Sequence, residues 1–167
     1  MVAVGVDYGT VRIGLAKSDE ARSIAFPFMS VPRGKTDEEG VAAVLSALAD
    51  VEVDEFVVGL PLSLSGEEGV SARKARAFGA LLEARSGRPV VFVDERLSSA
   101  AASRHMREMG LDERAQRGKL DERAAALILE TYLASTRKVT WEGDPNELPA
   151  PEEGPSRRRR RRGRERR

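Results

Sequence analysis

The sequence predicts an α/β fold, a single mixed β-sheet flanked by helices, on the strength of two patterns. Three strand-like runs, residues 2–7, 12–18 and 23–32, follow one another with short gaps at the start of the chain, as in an antiparallel meander. Beyond them, continuous apolar runs alternate with stretches of helical period, and such an alternation makes parallel strands covered on both faces. The 167 residues, 41% hydrophobic and 33% charged, suit one folded domain with a well-charged surface.

Each element has its own signal. The first run is apolar and stops at Gly9, a turn residue. "RIGLAKS" (12–18) is the second strand and "SIAFPFMSVP" (23–32) the third. The prolines of that third strand mark an edge or a bulge, because proline cannot donate to a ladder. Thr36 ahead of Asp37, Glu38 and Glu39 reads as an N-cap with an acidic first turn, and Val41, Val44, Leu45 and Leu48 follow at helical spacing. "EFVVGLPL" (55–62) is a buried strand, "SARKARAFGALLEA" (71–84) a helix, and "PVVFVDERL" (89–97) another strand. Helices are expected over 98–109 and 120–135.

After Lys138 the composition changes to "WEGDPNELPAPEEGPS" and then to polyarginine. Such a segment buries too little apolar surface to offset its ordering entropy. The expected organisation is a folded domain over 1–139 and a disordered segment over 140–167. Charge divides the same way: residues 157–167 hold nine arginines and one glutamate, hence +8, so residues 1–156 carry −7 within a total of +1. The arginine run reads as a sequence-independent phosphate clamp, or else as a solubility tail or a segment that folds back on the acidic body and competes with substrate.

Several chemistries are excluded. The chain has no cysteine, hence no disulfide, zinc thiolate or cysteine nucleophile. Its one histidine, His105, falls between Arg104 and Arg107 and reads as part of a solvated helix face rather than as a general base, with no second partner for a triad elsewhere. No run approaches the length of a membrane span, and the N-terminus lacks a signal segment, so a cytoplasmic protein without a membrane partner is expected. Neither GxxxxGK[ST] nor GxGxxG occurs.

The acids are the informative residues. Asp7 ends the first strand, Asp94 and Glu95 follow "VVFV", and Asp121 opens the last helix. If the parallel strands lie side by side, their C-terminal ends share one edge, where ligands of open α/β sheets bind. Converging carboxylates repel unless cations sit between them, and hard oxygen donors suit Mg²⁺ or Mn²⁺. Two such ions about 3.5–4 Å apart can drive phosphodiester hydrolysis. Asp94 and Asp121 also read, each alone, as helix caps. The stretch "VGLPLSLSGEEG" (58–69) is either a plain connection or a loop whose amides and Ser63 and Ser65 hydroxyls touch phosphate.

Four blocks, "DYGTVRIGLA", "VVGLPLSLSGEEG", "VDERLSS" and "KLDERAAALILETYL", resemble those of the YqgF/RuvX family across residues 2–135. These bacterial proteins have a ribonuclease H-like fold and are described as candidate pre-16S rRNA nucleases and Holliday junction resolvases. The resemblance implies a mixed sheet flanked by helices and a divalent-metal-dependent endonuclease site. Carried over by motif, Asp7, Glu95 and Asp121 are the catalytic, metal-holding acids, with Asp94 beside Glu95. Arg12 and Arg96 are substrate ligands for phosphate, or else salt-bridge partners of nearby carboxylates. The implied partner is a structured RNA or a branched DNA, and a junction resolvase would be a homodimer. "VDYGT" also resembles the first phosphate motif of actin-like ATPases and sugar kinases, which close two such domains on a nucleotide. A non-catalytic nucleic-acid adaptor recruited by the basic tail is the remaining alternative.

Overall fold

A computed structural model describes residues 1–98, Ala100 and 117–137. Its elements are β1 (Val2–Tyr8), β2 (Arg12–Ser18), β3 (Ala25–Pro32), α1 (Asp37–Ala47), β4 (Val53–Leu60), α2 (Val70–Ser86), β5 (Val90–Asp94), a 3-10 turn (Glu95–Leu97) and α3 (Arg117–Thr136). The strands form one sheet in the order β3-β2-β1-β4-β5. β1, β2 and β3 pair antiparallel, while β4 runs parallel to β1 and to β5. The meander and the parallel half are therefore both present, joined at β1.

Local chemistry sets the boundaries. β3 is an edge strand, and its pairing slips between Leu15 and Ala16 so that Phe28 has no opposite residue, next to the proline that cannot bond. Thr36 caps α1 by accepting from the Glu39 amide at 3.2 Å, and the Glu39 carboxylate accepts from the Lys35 amide at 2.7 Å. α2 ends at Gly87, whose φ of 68° supports the left-handed C-cap bond to the Glu83 carbonyl. β4 begins and ends two residues earlier than the expected 55–62, stopping where Pro61 removes a donor. β5 stops at Asp94, where the expected run to residue 97 gives way to the 3-10 turn.

The sheet separates two cores. Large side chains, among them Val6, Ile13, Leu15, Phe56 and Val58, pack under α1 and α2 with Val41, Val44, Phe78 and Leu82. On the other face Ala3, Ala16, Val57 and Val93 meet Ala124, Ala125, Ile128 and Leu129 of α3. No helix among the described residues is long and apolar enough to cross a membrane. The chain divides into two units, Met1–Arg137 and Lys138–Arg167. The second unit lies outside the described residues, and with it the expectation of disorder over 140–167. Most of the expected helix 98–109, His105 included, also lies outside them.

Candidate active site

Asp7 stands near the C-terminal end of β1 and is 1% exposed. Strand alternation puts it on the α3 face with Ala3 and Gly5. It is in register with Gly14 of β2. On its other side Val6 pairs with Val58, which makes Gly59 its next neighbour on β4. Asp7 is thus flanked by two glycines.

Those glycines seat the other two acids. A Cβ at Gly14 would run into the Asp121 carbonyl and stand 3.0 Å from the Asp121 Cβ, and a Cβ at Gly59 would stand 2.6 Å from Glu95 Oε1. Asp121 therefore lies over Gly14 and Glu95 over Gly59, one on each side of Asp7. Helical spacing explains how α3 delivers its acid: Asp121, Ala124, Ala125, Ile128 and Leu129 form one buried stripe. Its small members let the helix settle on the sheet, and Gly5 lies under Ala125 and Leu129.

Asp7, Glu95, Asp121 and Ser18 are the buried polar residues among those described, and all four belong to this face. The Ser18 hydroxyl accepts from the Ala3 amide at 3.0 Å. A buried carboxylate is costly unless engaged, and each of the three has an interaction partner. Among the described residues no three acidic, histidine or cysteine side chains stand as a ready-made metal cage. What the fold supplies is a set of hard oxygen donors confined to one patch, and that chemistry suits Mg²⁺ or Mn²⁺.

The neighbouring acids 94 and 95 part company at the 3-10 turn. Asp94 accepts from the Arg96 amide at 2.9 Å and from the Arg96 guanidinium, with Nη2 at 2.6 Å from Oδ2. These hydrogen bonds hold its carboxyl below the usual carboxylate range. Glu95, by contrast, is 2% exposed. The cap reading suits Asp94, and Glu95 shares the patch with Asp7.

The two arginines differ as well. Arg96 directs Nε and Nη2 at Asp94 and Nη1 at the Leu64 carbonyl, 3.2 Å away. Arg12 shares the face of Gly14 by strand alternation, and its guanidinium has no hydrogen-bond or ion-pair partner among the described residues. Ser63 and Ser65 bond to each other at 2.9 Å, and the Ser63 hydroxyl also accepts from the Glu67 amide, so these hydroxyls build their own loop. Sequence reasoning passed over Gly14 and Gly59. A glycine inside a strand was the available signal, since it marks close approach by another backbone or ligand.

Comparison with known proteins decides the family. Residues 1–135 match the family model described as "RuvX: Holliday junction resolvase". The chain belongs to the RuvX family. A relative from Anaeromyxobacter dehalogenans (strain 2CP-1), named "Putative pre-16S rRNA nuclease", is 49% identical over 80% of this chain and 96% of its own. Relatives of the same name from Maridesulfovibrio salexigens and Mycobacteroides abscessus are 42% and 39% identical, covering 80% and 84% of this chain and 98% and 86% of theirs. Among solved structures, T. thermophilus RuvC in complex with a Holliday junction substrate superposes with a TM-score of 0.50 at 20% identity. It covers 81% of this chain and 94% of that one. This likeness shows the fold, which is ribonuclease H-like, as RuvX membership implies.

Proposed function

We propose that this RuvX chain is a divalent-metal-dependent endonuclease that cleaves phosphodiester bonds in structured RNA, in the maturation of the 16S rRNA precursor. The observation that carries the reading is the buried patch on the α3 face, where Asp121 and Glu95 lie on either side of Asp7 with Arg12 on the same face. In this reading Asp7, Glu95 and Asp121 hold Mg²⁺ or Mn²⁺, which when bound supplies an activated water and stabilises the leaving oxygen. Asp7 is fixed by the strand ladder, Asp121 by the stripe of α3, and Glu95 by the capped 3-10 turn. Each is held by a rigid element, which limits misplacement at the reacting phosphate. Arg12 orients a phosphate with its planar fork. Arg96, Ser63 and Ser65 act on substrate through the loop they shape.

The relatives' name supports an RNA substrate, and nine arginines within residues 157–167 support a nucleic-acid partner, with residues 1–139 as the catalytic unit and the arginine run of 157–167 as the clamp. The cytoplasm is where such a substrate is processed. The family description favours a second reading, a resolvase of four-way DNA junctions, and symmetric cleavage would then require two sites and hence a homodimer. A side-by-side cleavage assay on precursor 16S rRNA and on four-way DNA junctions tests both. Cleavage of the RNA that is abolished by chelator and by Asp7→Asn is expected. Cleavage of the junction alone would transfer the assignment to DNA, and full activity of Asp7→Asn would overturn the site.

A further inference from the structure

One buried hydroxyl on the α3 face is left idle by the fold. Ser30 is half-buried as a residue, but its Oγ is fully covered and has no hydrogen-bond partner among the described residues. Buried polar atoms are nearly always paired, and an exception calls for a reason, such as a catalytic role or an ion. Ser18, on the same face, shows the ordinary case: its hydroxyl accepts from the Ala3 amide at 3.0 Å.

The register of the sheet places that hydroxyl beside the acids. Ser30 of β3 is directly opposite Gly14 of β2, which is directly opposite Asp7 of β1. Opposite residues in a ladder share a face, with Cβ positions about 4.5–5.5 Å apart. Met29 and Val31, on either side of Ser30, pack into the large-residue core, so Ser30 faces α3, which packs against β3 as well as β2. Gly14 has no side chain to stand between, and the Asp121 Cβ lies 3.0 Å from where a Gly14 Cβ would be. Asp121 is therefore flanked by Asp7 on one strand and by Ser30 on the other.

We propose that Ser30 is a positioning residue for Asp121, its hydroxyl donating to the carboxylate oxygen that a bound divalent cation leaves free. The inference rests on the metal-dependent reading above and adds a fourth residue to its site. Donor chemistry selects the role. The row across the α3 face runs Ser30, Gly14, Asp7, Gly59, Val93. An ionised aspartate only accepts, and glycine and valine side chains offer nothing, so Ser30 supplies the O–H of that row. Glu95, over Gly59, is an acceptor like Asp7. A carboxylate that ligates a metal is itself hydrogen-bonded, and that second partner fixes its orientation. Asp7 would repel the carboxylate of Asp121, whereas Ser30 on the opposite side can hold it.

The test measures Mn²⁺ binding to the full chain by loss of the free-ion EPR signal, counting the part that Asp7→Asn abolishes, together with Tm in chelator. Ser30→Ala is expected to weaken Mn²⁺ about tenfold. Its Tm in chelator should stay unchanged or rise, because the change removes an unpaired polar atom. Ser18→Ala, whose hydroxyl is structural, should do the reverse: a lower Tm in chelator with unchanged Mn²⁺ affinity. Adding Ser30→Ala to Asp121→Asn should cost no further affinity, since a positioning residue acts only through the group it holds. Wild-type Mn²⁺ affinity in Ser30→Ala would overturn the proposal, and so would losses from Ser30→Ala and Asp121→Asn that simply add. In either case RNA cleavage abolished by chelator and by Asp7→Asn would leave the nuclease reading standing. Wild type that binds Mn²⁺ no more tightly than Asp7→Asn would overturn both.

Discussion

Under α1 and α2 the sheet presents Val4, Val6, Ile13, Leu15, Phe56 and Val58, whereas under α3 it presents Val57 and Val93 but otherwise Ala3, Gly5, Gly14, Ala16 and Gly59 with the carboxylates. Each fully buried large side chain on the first face contributes about 1.5–3 kcal/mol. Glycine and alanine contribute far less, and buried acids add a desolvation cost. The second face yields apolar volume so that one helix backbone can approach the strands and hold Asp121 beside Asp7. In the proposed reading, stability and chemistry are thus divided between opposite sides of the same strands, often by consecutive residues.

The sharpest way to break this division is Asp7→Asn against Val6→Ala, neighbours on β1. Asp7→Asn keeps the shape and removes a charge, so cleavage should fall to background while Tm is retained or rises. Val6→Ala should lower stability and leave turnover per folded molecule unchanged. Chemical denaturation and single-turnover cleavage on each protein separate the two effects. A Val6→Ala protein that is fully stable but inactive would reverse the assignment of the faces.

β2 offers the next contrast, again between neighbours. Leu15→Ala deletes volume from the large-residue face and should cost about 2–5 kcal/mol without altering the rate of the folded fraction. Gly14→Ala adds one methyl where the Asp121 carbonyl already stands. Overpacking of this kind costs about 1–3 kcal/mol, and because α3 must move, cleavage should fall as well. Equal activity of both proteins at matched folded fraction would show that the close approach of α3 has no catalytic consequence.

A smaller effect separates the two arginines. Arg12→Ala should weaken RNA binding and reduce the log–log salt slope by roughly the 0.7 expected per single-strand phosphate, with little change in Tm. Arg96→Ala should leave that slope intact and loosen the 63–66 loop instead, because its donors are held by Asp94 and by the loop carbonyls. Binding titrations over a salt series would show it. A reduced slope for Arg96→Ala would make Arg96 a phosphate ligand.

Much of this architecture is legible in the sequence, and the parts that are not share a cause. The meander, the edge prolines, the Thr36 cap and the alternation of strand and helix are written in local patterns, and the blocks around Asp7, Glu95 and Asp121 mark the acids. The choice between Asp94 and Glu95 is not written there. β5 has apolar residues on both faces, so "VVFVD" shows no alternation from which to read which neighbour faces α3. The seats at Gly14 and Gly59 are equally hidden, because what they accommodate arrives from α3 and the 3-10 turn, far along the chain. The commitment of Arg96 to a loop carbonyl 32 residues away is a tertiary fact for the same reason.

The mildest test concerns the end of the large-residue face, where Tyr8 stands beside Asp7 in sequence and on the opposite side of the sheet. Its ring stacks on Phe78 at 4.6 Å between centroids, and its hydroxyl donates to Asp37 Oδ1 at 2.6 Å. Burial first, and then the hydrogen bond to that carboxylate, push the phenol up to about 12 from 10.0. A group whose folded pKa is raised contributes stability that is complete below its unfolded pKa and lost as pH climbs through the folded one. The contribution of Tyr8 should therefore be intact below about pH 10 and gone above about pH 12. Tyr8→Phe keeps the stack and removes the hydrogen bond, which costs about 1 kcal/mol at neutral pH. Its stability should then decline less steeply than wild type between those limits, with a residual decline from Tyr132, whose phenol is also raised by burial and by Glu55. Cleavage at neutral pH should stay within about twofold of wild type, since a change of less than about 0.4 kcal/mol in the barrier is all that a remote face should transmit. Urea titrations across the alkaline range measure the first expectation, and initial rates the second. If Tyr8→Phe abolished cleavage while its stability matched wild type, the two faces would be coupled through β1, and the separation argued above would fail at the one strand they share most closely.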